Sequence, residues 1–208
     1  MRRIAIAGVV LVALAGCKKK PDEALAADAE IVSPRGPIEI AHAETGFTMV
    51  APETWIRSPQ GDATLIADLR RPAPIGQPTL APPRIVVMAR QRDTPLDADK
   101  GVEREIDELK TVQASGALDI VRTARARRLL GGIDMGELRV DYRVRDPRGG
   151  PDANVVHRVW VGPRPGTDGK PWEVVIVFTY QAADEDVIAR ETEDVLRSVH
   201  FASPEEPK

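Results

Sequence analysis

Between about residue 38 and residue 200, apolar residues recur with two different periods. The shorter period predicts strands. Ile38-Glu39-Ile40 alternates, Glu44-Thr45-Gly46 turns the chain, and Phe47-Thr48-Met49-Val50 forms a second short strand that Pro52 ends. Ala63 to Leu69 predicts a third. Arg84 to Ala89 contains Ile85-Val86-Val87-Met88, a continuous apolar run that suits a strand buried on both faces. The longer period then takes over. Asp97 or Asp99 can cap a helix whose stripe runs through Val102, Ile106, Leu109 and either Val112 or Gln113, with Gly116 as its stop.

Strand patterning returns from Leu118 to Thr123, with a continuation towards Leu130, and Gly131-Gly132 marks a turn. Leu138, Val140, Tyr142 and Val144 alternate with Arg139, Asp141, Arg143 and Arg145, the signature of a half-buried strand. Asn154 to Val161 and Trp172 to Tyr180 predict two more, and Val174 to Phe178 is apolar on both faces. A last helix starts near Asp184, which can cap it, with Glu185 and Asp186 at the positive end of its dipole and Ile188, Thr192, Val195, Leu196 and Val199 on one stripe. The order strands, helix, strands, helix predicts an α+β domain: a mostly antiparallel sheet with two main helices packed on it.

The N-terminus follows another pattern. Arg2 and Arg3 precede an uncharged apolar stretch, Ile4 to Ala13, too short for a permanent transmembrane helix. It ends in Leu14-Ala15-Gly16-Cys17, which resembles the lipobox of bacterial lipoproteins. That resemblance implies cleavage before Cys17 and lipid on its thiol and freed amine. At about 0.8 kcal/mol per buried methylene, two or three chains anchor stably where one does not. An ordinary cleaved leader with a chance cysteine, or an uncleaved anchor, are the alternatives. Lys18 to Lys20 either meet anionic headgroups or begin a solvated tether. Position 18 is not Asp, the mark of inner-membrane retention in many Gram-negative lipoproteins, which favours the outer membrane in such a host.

The expected organisation is therefore a signal peptide at 1–16, a lipidated cysteine and flexible tether at 17–36, one domain at 37–202 and a disordered tail at 203–208. Composition agrees: of 208 residues, 42% are hydrophobic and 29% charged, as in a folded domain. The formal charge of −3 gives no reason to expect nucleic-acid binding. The single cysteine rules out an internal disulfide.

Two segments carry a family likeness. One is Thr45-Gly46-Phe47-Thr48-Met49 with Ala51-Pro52-Glu53-Thr54-Trp55. The other is Trp172 to Tyr180 and the helix that ends in Val195-Leu196-Arg197-Ser198-Val199-His200-Phe201. Together they resemble the PsbP-like α/β/α sandwich, the family of photosystem PsbP, the lipoprotein DcrB, mycobacterial LpqN-type lipoproteins and a Ran-binding import factor. The resemblance implies a Gly-Phe turn into a strand, a Pro-x-x-Trp segment closing over the core, and a Ser-x-x-Phe strand after the last helix. It implies no single activity, because members bind proteins or stabilise assemblies, and it lowers the expectation of catalysis.

Residue chemistry adds little. His42, His157 and His200 have no partner at metal-ligand spacing, so no metal is expected. His157 alternates with valines and reads as a hydrogen-bonded structural residue. No Gly-x-Ser-x-Gly elbow or phosphate loop is present, and no catalytic residue or cofactor is expected. Arginines crowd the middle of the domain. Arg139, Arg143 and Arg145 on one strand, with Arg158 on a neighbour, are a candidate basic face for an acidic partner; pairing with Asp119, Asp134, Glu137 and Asp141 is the alternative. The expected function is a lipid-anchored envelope lipoprotein that binds a protein partner or supports an assembly without catalysis. An envelope hydrolase with a dispersed site, or a structural envelope protein, are the alternatives.

Overall fold

A computed structural model describes residues 36–58, 63–72, 79–146 and 148–202. The expected signal peptide, Cys17 and the expected tether up to residue 35 lie outside the described residues, as does the expected tail from 203.

Among the described residues, ten strands form two antiparallel sheets. The smaller contains β1 (Ile38–His42), β2 (Phe47–Ala51) and β10 (His200–Phe201), with β2 in the middle. The larger contains β3 (Ile56–Arg57), β4 (Leu65–Arg70), β5 (Arg84–Gln91), β6 (Leu118–Leu130), β7 (Ile133–Val144), β8 (Ala153–Pro165) and β9 (Pro171–Gln181), in the order β3-β4-β5-β9-β8-β7-β6. The two helices are α1 (Ala98–Ala114) and α2 (Glu185–Arg197). Helix α1 packs on β6, β7 and β8. On the opposite face, α2 and the small sheet enclose a core with Phe47, Trp55, Trp160 and Phe178. The expected sandwich of helix, sheet and helix is present, with a second small sheet beside α2.

The two periods explain the layers. In β9, Val174, Ile176, Phe178 and Tyr180 face α2, while Glu173, Val175 and Val177 face α1; all are buried. This central strand accounts for the continuous apolar run. Along β7, Leu138, Val140 and Tyr142 turn towards α1, and Arg139 and Asp141 towards α2. Burying residues on both faces of the middle strands removes apolar surface from water at about 25 cal/mol per Å².

Helix α1 begins as expected: the Asp97 carboxylate accepts the Asp99 N–H at 2.8 Å. Val112, not Gln113, continues its buried stripe. Gly136 on β7 lets this helix lie against the sheet, because a Cβ there would come within 2.6 Å of Val102 Cγ2 and 2.9 Å of the Ala98 carbonyl oxygen. The β6–β7 hairpin turns on Gly131 and Gly132, at φ 54° and 84°, a left-handed pair that glycine adopts at no steric cost.

Helix α2 differs from expectation at its start. Asp184 precedes it but makes no side-chain cap, because it ends a 3-10 turn, Ala182–Asp184, at φ −95° and ψ 3°. The Pro-x-x-Trp segment closes as the resemblance implies: Trp55 N–H donates to the Pro52 carbonyl at 3.1 Å and the indole is fully buried. Its Nε1 donates to Glu191 Oε2 of α2 at 3.1 Å. After α2, Ser198 Oγ donates to the Val50 carbonyl at 3.1 Å and Phe201 pairs with Phe47, which docks β10 on β2.

Candidate functional site

The four arginines of the candidate basic face are divided by the fold. Arg139 on β7 and Arg158 on β8 are direct cross-strand partners. Both lie on the face that α2 covers, and its acidic side meets them. Arg139 donates from Nη1 and Nη2 to Glu185 at 2.6 and 3.1 Å, and from Nε to Asp141 at 2.9 Å. Arg158 donates from Nη2 to Glu137 at 2.8 Å, lies 3.6 Å from Glu193, and stacks its guanidinium 4.8 Å above the Trp160 ring. Arg128 of β6 grips Glu193 through both terminal nitrogens, at 3.0 and 2.6 Å.

These contacts raise the Arg139 pKa, chiefly through its hydrogen bonds to Glu185. They hold Glu193 below the usual carboxylate range, chiefly through Arg128. Arg145 lies just past the end of β7, is exposed, and donates to Asp119 at 3.0 Å. Arg143 is exposed and forms no ion pair with any described residue. The arrangement is thus a helix-to-sheet seam of matched charges under α2, with Arg143 outside it.

A second charge cluster lies under α1. Glu173 of β9 is fully buried. Its carboxylate accepts from Arg92 Nε at 2.8 Å and from Arg104 Nη1 at 2.7 Å, with a further bond from Arg104 Nη2. Arg90, cross-strand from Glu173 and also buried, lies 3.7 Å from it and bonds Glu105 at 3.5 Å. Arg104 also donates to Glu105 at 2.8 Å. Burial works to lower the Arg104 pKa, but the bonds to Glu173 and Glu105 outweigh it and the value is raised. Burial, followed by the neighbouring Glu105, pushes Glu108 up. The chemistry is that of a closed ionic lock: the carboxylate has no free lone pair directed at solvent, and three guanidinium groups surround it.

Sequence reasoning did not single out this cluster. The signal was present, since Glu173 and Arg90 occupy positions in phase with Val175, Val177, Val86 and Met88 on strands that read as buried on both faces. A charged residue at such a position requires an opposite charge beside it.

Two imidazole–hydroxyl contacts bear on the hydrolase alternative. Thr45 Oγ1 lies 3.0 Å from His42 Nδ1, and His42 Nε2 lies 3.2 Å from Glu44. The spacing resembles a nucleophile, base and acid, but Thr45 is fully buried and its hydroxyl points at the backbone of its own turn. His157 Nδ1 lies 3.0 Å from Thr179 Oγ1 on the α1 face, between Val155 and Val159. Burial lowers the His157 pKa to about 4, which makes it a poor proton acceptor at neutral pH. No cluster of three or more His, Cys, Asp or Glu side chains suited to a metal ion occurs among the described residues. No helix among them is long and apolar enough to cross a membrane.

No family model matches the chain, and no curated protein matches it in sequence. Solved structures do match in fold. LpqN of Mycobacterium tuberculosis, described as involved in cell envelope biogenesis, is 14% identical at a TM-score of 0.56; the match covers 80% of this chain and 91% of that one. Cyanobacterial PsbP (CyanoP) from Synechocystis is 13% identical at a TM-score of 0.50, covering 82% of this chain and 95% of that one. At such identities the likeness is one of fold. It agrees with the PsbP-like sandwich that the two sequence segments implied.

Proposed function

We propose that this chain is a lipid-anchored protein of the bacterial cell envelope that holds a protein partner at a membrane surface without catalysing a reaction. The observation that carries this reading is the register of the N-terminus: paired arginines, an uncharged apolar stretch and Leu14-Ala15-Gly16-Cys17, followed by a tether rich in Ala, Asp, Glu and Pro and then a folded domain. The shared fold with LpqN, a protein involved in cell envelope biogenesis, supports the compartment. The chemistry of the domain supports binding. Arginines and carboxylates are committed to one another on both faces of the sheet, and in the hydroxyl–imidazole–carboxylate contact the hydroxyl residue, Thr45, is fully buried. Lipid on Cys17 would fix the domain to one leaflet, and the residue after it favours the outer membrane in a Gram-negative host. A partner in the same envelope would then be met at a high effective concentration.

The test compares the natural chain with Cys17→Ala in cells fed an alkyne-bearing fatty acid. The natural chain should take up the label and sediment with membranes, and in-cell crosslinking should recover a discrete envelope protein. Cys17→Ala should lose the label, move to the soluble fraction and lose most of that crosslink. Label-free natural chain in the soluble fraction would overturn the anchor, and equal crosslinking by both forms would overturn its role in assembly.

A further inference from the structure

Strand β6 ends the large sheet. Among the described residues, β7 is its only hydrogen-bonded neighbour. The opposite end of the sheet is β3, two residues long, which offers almost no edge. The β6 edge is different. After a bulge at Val121, its register with β7 runs without interruption from Arg122 to Leu130, a length of ~30 Å. Val121 to Arg127 are exposed on both faces, although Arg127 reaches Asp99 at the start of α1. Val121 and Leu129, 65% and 70% exposed, are the most exposed large apolar side chains among the described residues, and they flank the stretch at either end. A long straight edge with apolar contacts at both ends is the template used in strand addition.

The side chains limit what can add. A second copy pairing about a two-fold axis at Arg125 would set Arg125 against itself and Arg122 against Arg128. An axis at Ala126 would set Arg125 against Arg127. Like charges directly opposite are destabilising. An acidic strand meets the reverse situation. Arg122 forms no ion pair with a described residue, and Arg125 has only a 3.9 Å approach to Glu103, with both side chains more than half exposed. The two arginines are three residues apart and so point to opposite faces of the sheet. Ala124, between them, leaves the approach unobstructed.

We infer that the outer edge of β6 is a docking edge for an extended acidic segment of a partner protein, which adds as an eighth strand and sets two carboxylates, three residues apart, against Arg122 and Arg125. This deepens the reading of the domain as a binding module, and rests on it. The same arginines that repel a second copy in the registers centred on Arg125 and Ala126 attract the acidic strand.

The experiment uses the mature chain, isotope-labelled, with the peptide Thr-Val-Glu-Val-Thr-Glu-Val-Thr at millimolar concentration and low salt. Amide exchange and chemical shifts should report protection confined to β6 and its neighbours. Arg122→Glu with Arg125→Glu, both exposed changes, should weaken binding about tenfold. The same peptide N-methylated at alternate residues keeps its charge but cannot complete a ladder, and should not bind. Equal binding by the N-methylated peptide, protection elsewhere than β6, no saturable binding, or a concentration-dependent dimer protected along β6 would each overturn the edge proposal. None of those outcomes touches the anchored-assembly reading, which the Cys17 crosslinking experiment tests by a separate route.

Discussion

The sheet carries an arginine–glutamate cluster on each face, and the two differ in how much water they keep. Under α1, Glu173 is fully buried and Arg90 nearly so, and the cluster closes over itself. Under α2, Arg139 and Glu185 keep 34% and 36% of their side-chain surface. The chemistry is the same, but the energetics are not. A pair taken out of water loses hydration that its mutual attraction must offset, so removing one partner leaves a bare charge at several kcal/mol. A half-exposed pair falls back on solvent and contributes little. The first cluster locks α1 to the sheet. The second sets the position of α2 while remaining open to change.

The largest expected effect breaks the α1 side. Glu173→Gln keeps the shape and removes the charge, leaving Arg90, Arg92 and Arg104 facing only Glu105 and Glu108. The loss of stability should be about 3–5 kcal/mol, read from urea unfolding. A loss below about 1 kcal/mol would mean that the burial does not matter.

A middle effect comes from His157, also on the α1 side. Its folded pKa, about 4, lies below the ordinary value of 6.5. Below pH 6.5 the unfolded chain takes up the proton and the folded chain does not, so stability falls as pH falls, and this contribution levels off below about pH 4. The total is about 3 kcal/mol. Unfolding curves between pH 7 and 4 should therefore flatten in His157→Gln, and an unchanged pH profile would remove His157 from the account.

The smallest effect sharpens the contrast. Glu185→Gln should cost only about 0.2–1 kcal/mol, and that cost should shrink further in 1 M salt. The Glu173→Gln cost should persist in the same salt.

Much of the fold was legible. Alternation located β7, the doubly buried run located β9, and the Asp97 cap and the Gly131-Gly132 turn fell where the residue types placed them. The reach of β6 was harder to read, because Arg122 to Arg127 is exposed on both faces and carries no apolar period. Local pairing, the alternative reading, is what the structure shows for Arg139 with Asp141, Arg158 with Glu137 and Arg145 with Asp119, but neither reading reached the carboxylates of α2, for a related reason. Glu185 lies 46 residues beyond Arg139, and only the three-dimensional path of α2 brings them together. Arginines in mid-domain and acids in the last helix were each visible; that one covers the other was not. Glu173 was the opposite case, a single charge whose phase with its buried neighbours signalled the lock, a signal the sequence reading passed over. Short-range periodicity reveals which face a residue takes, and long-range pairing decides what it meets there.

The arrangement of the small sheet has a consequence for the timing of synthesis. Strand β2 is flanked by β1, the first strand made, and by β10, the last, so Phe47 waits for Phe201 before its ring is covered. No growing fragment that stops short of residue 201 can close that side of the core. Folding of this half is thereby deferred until the whole domain has been delivered.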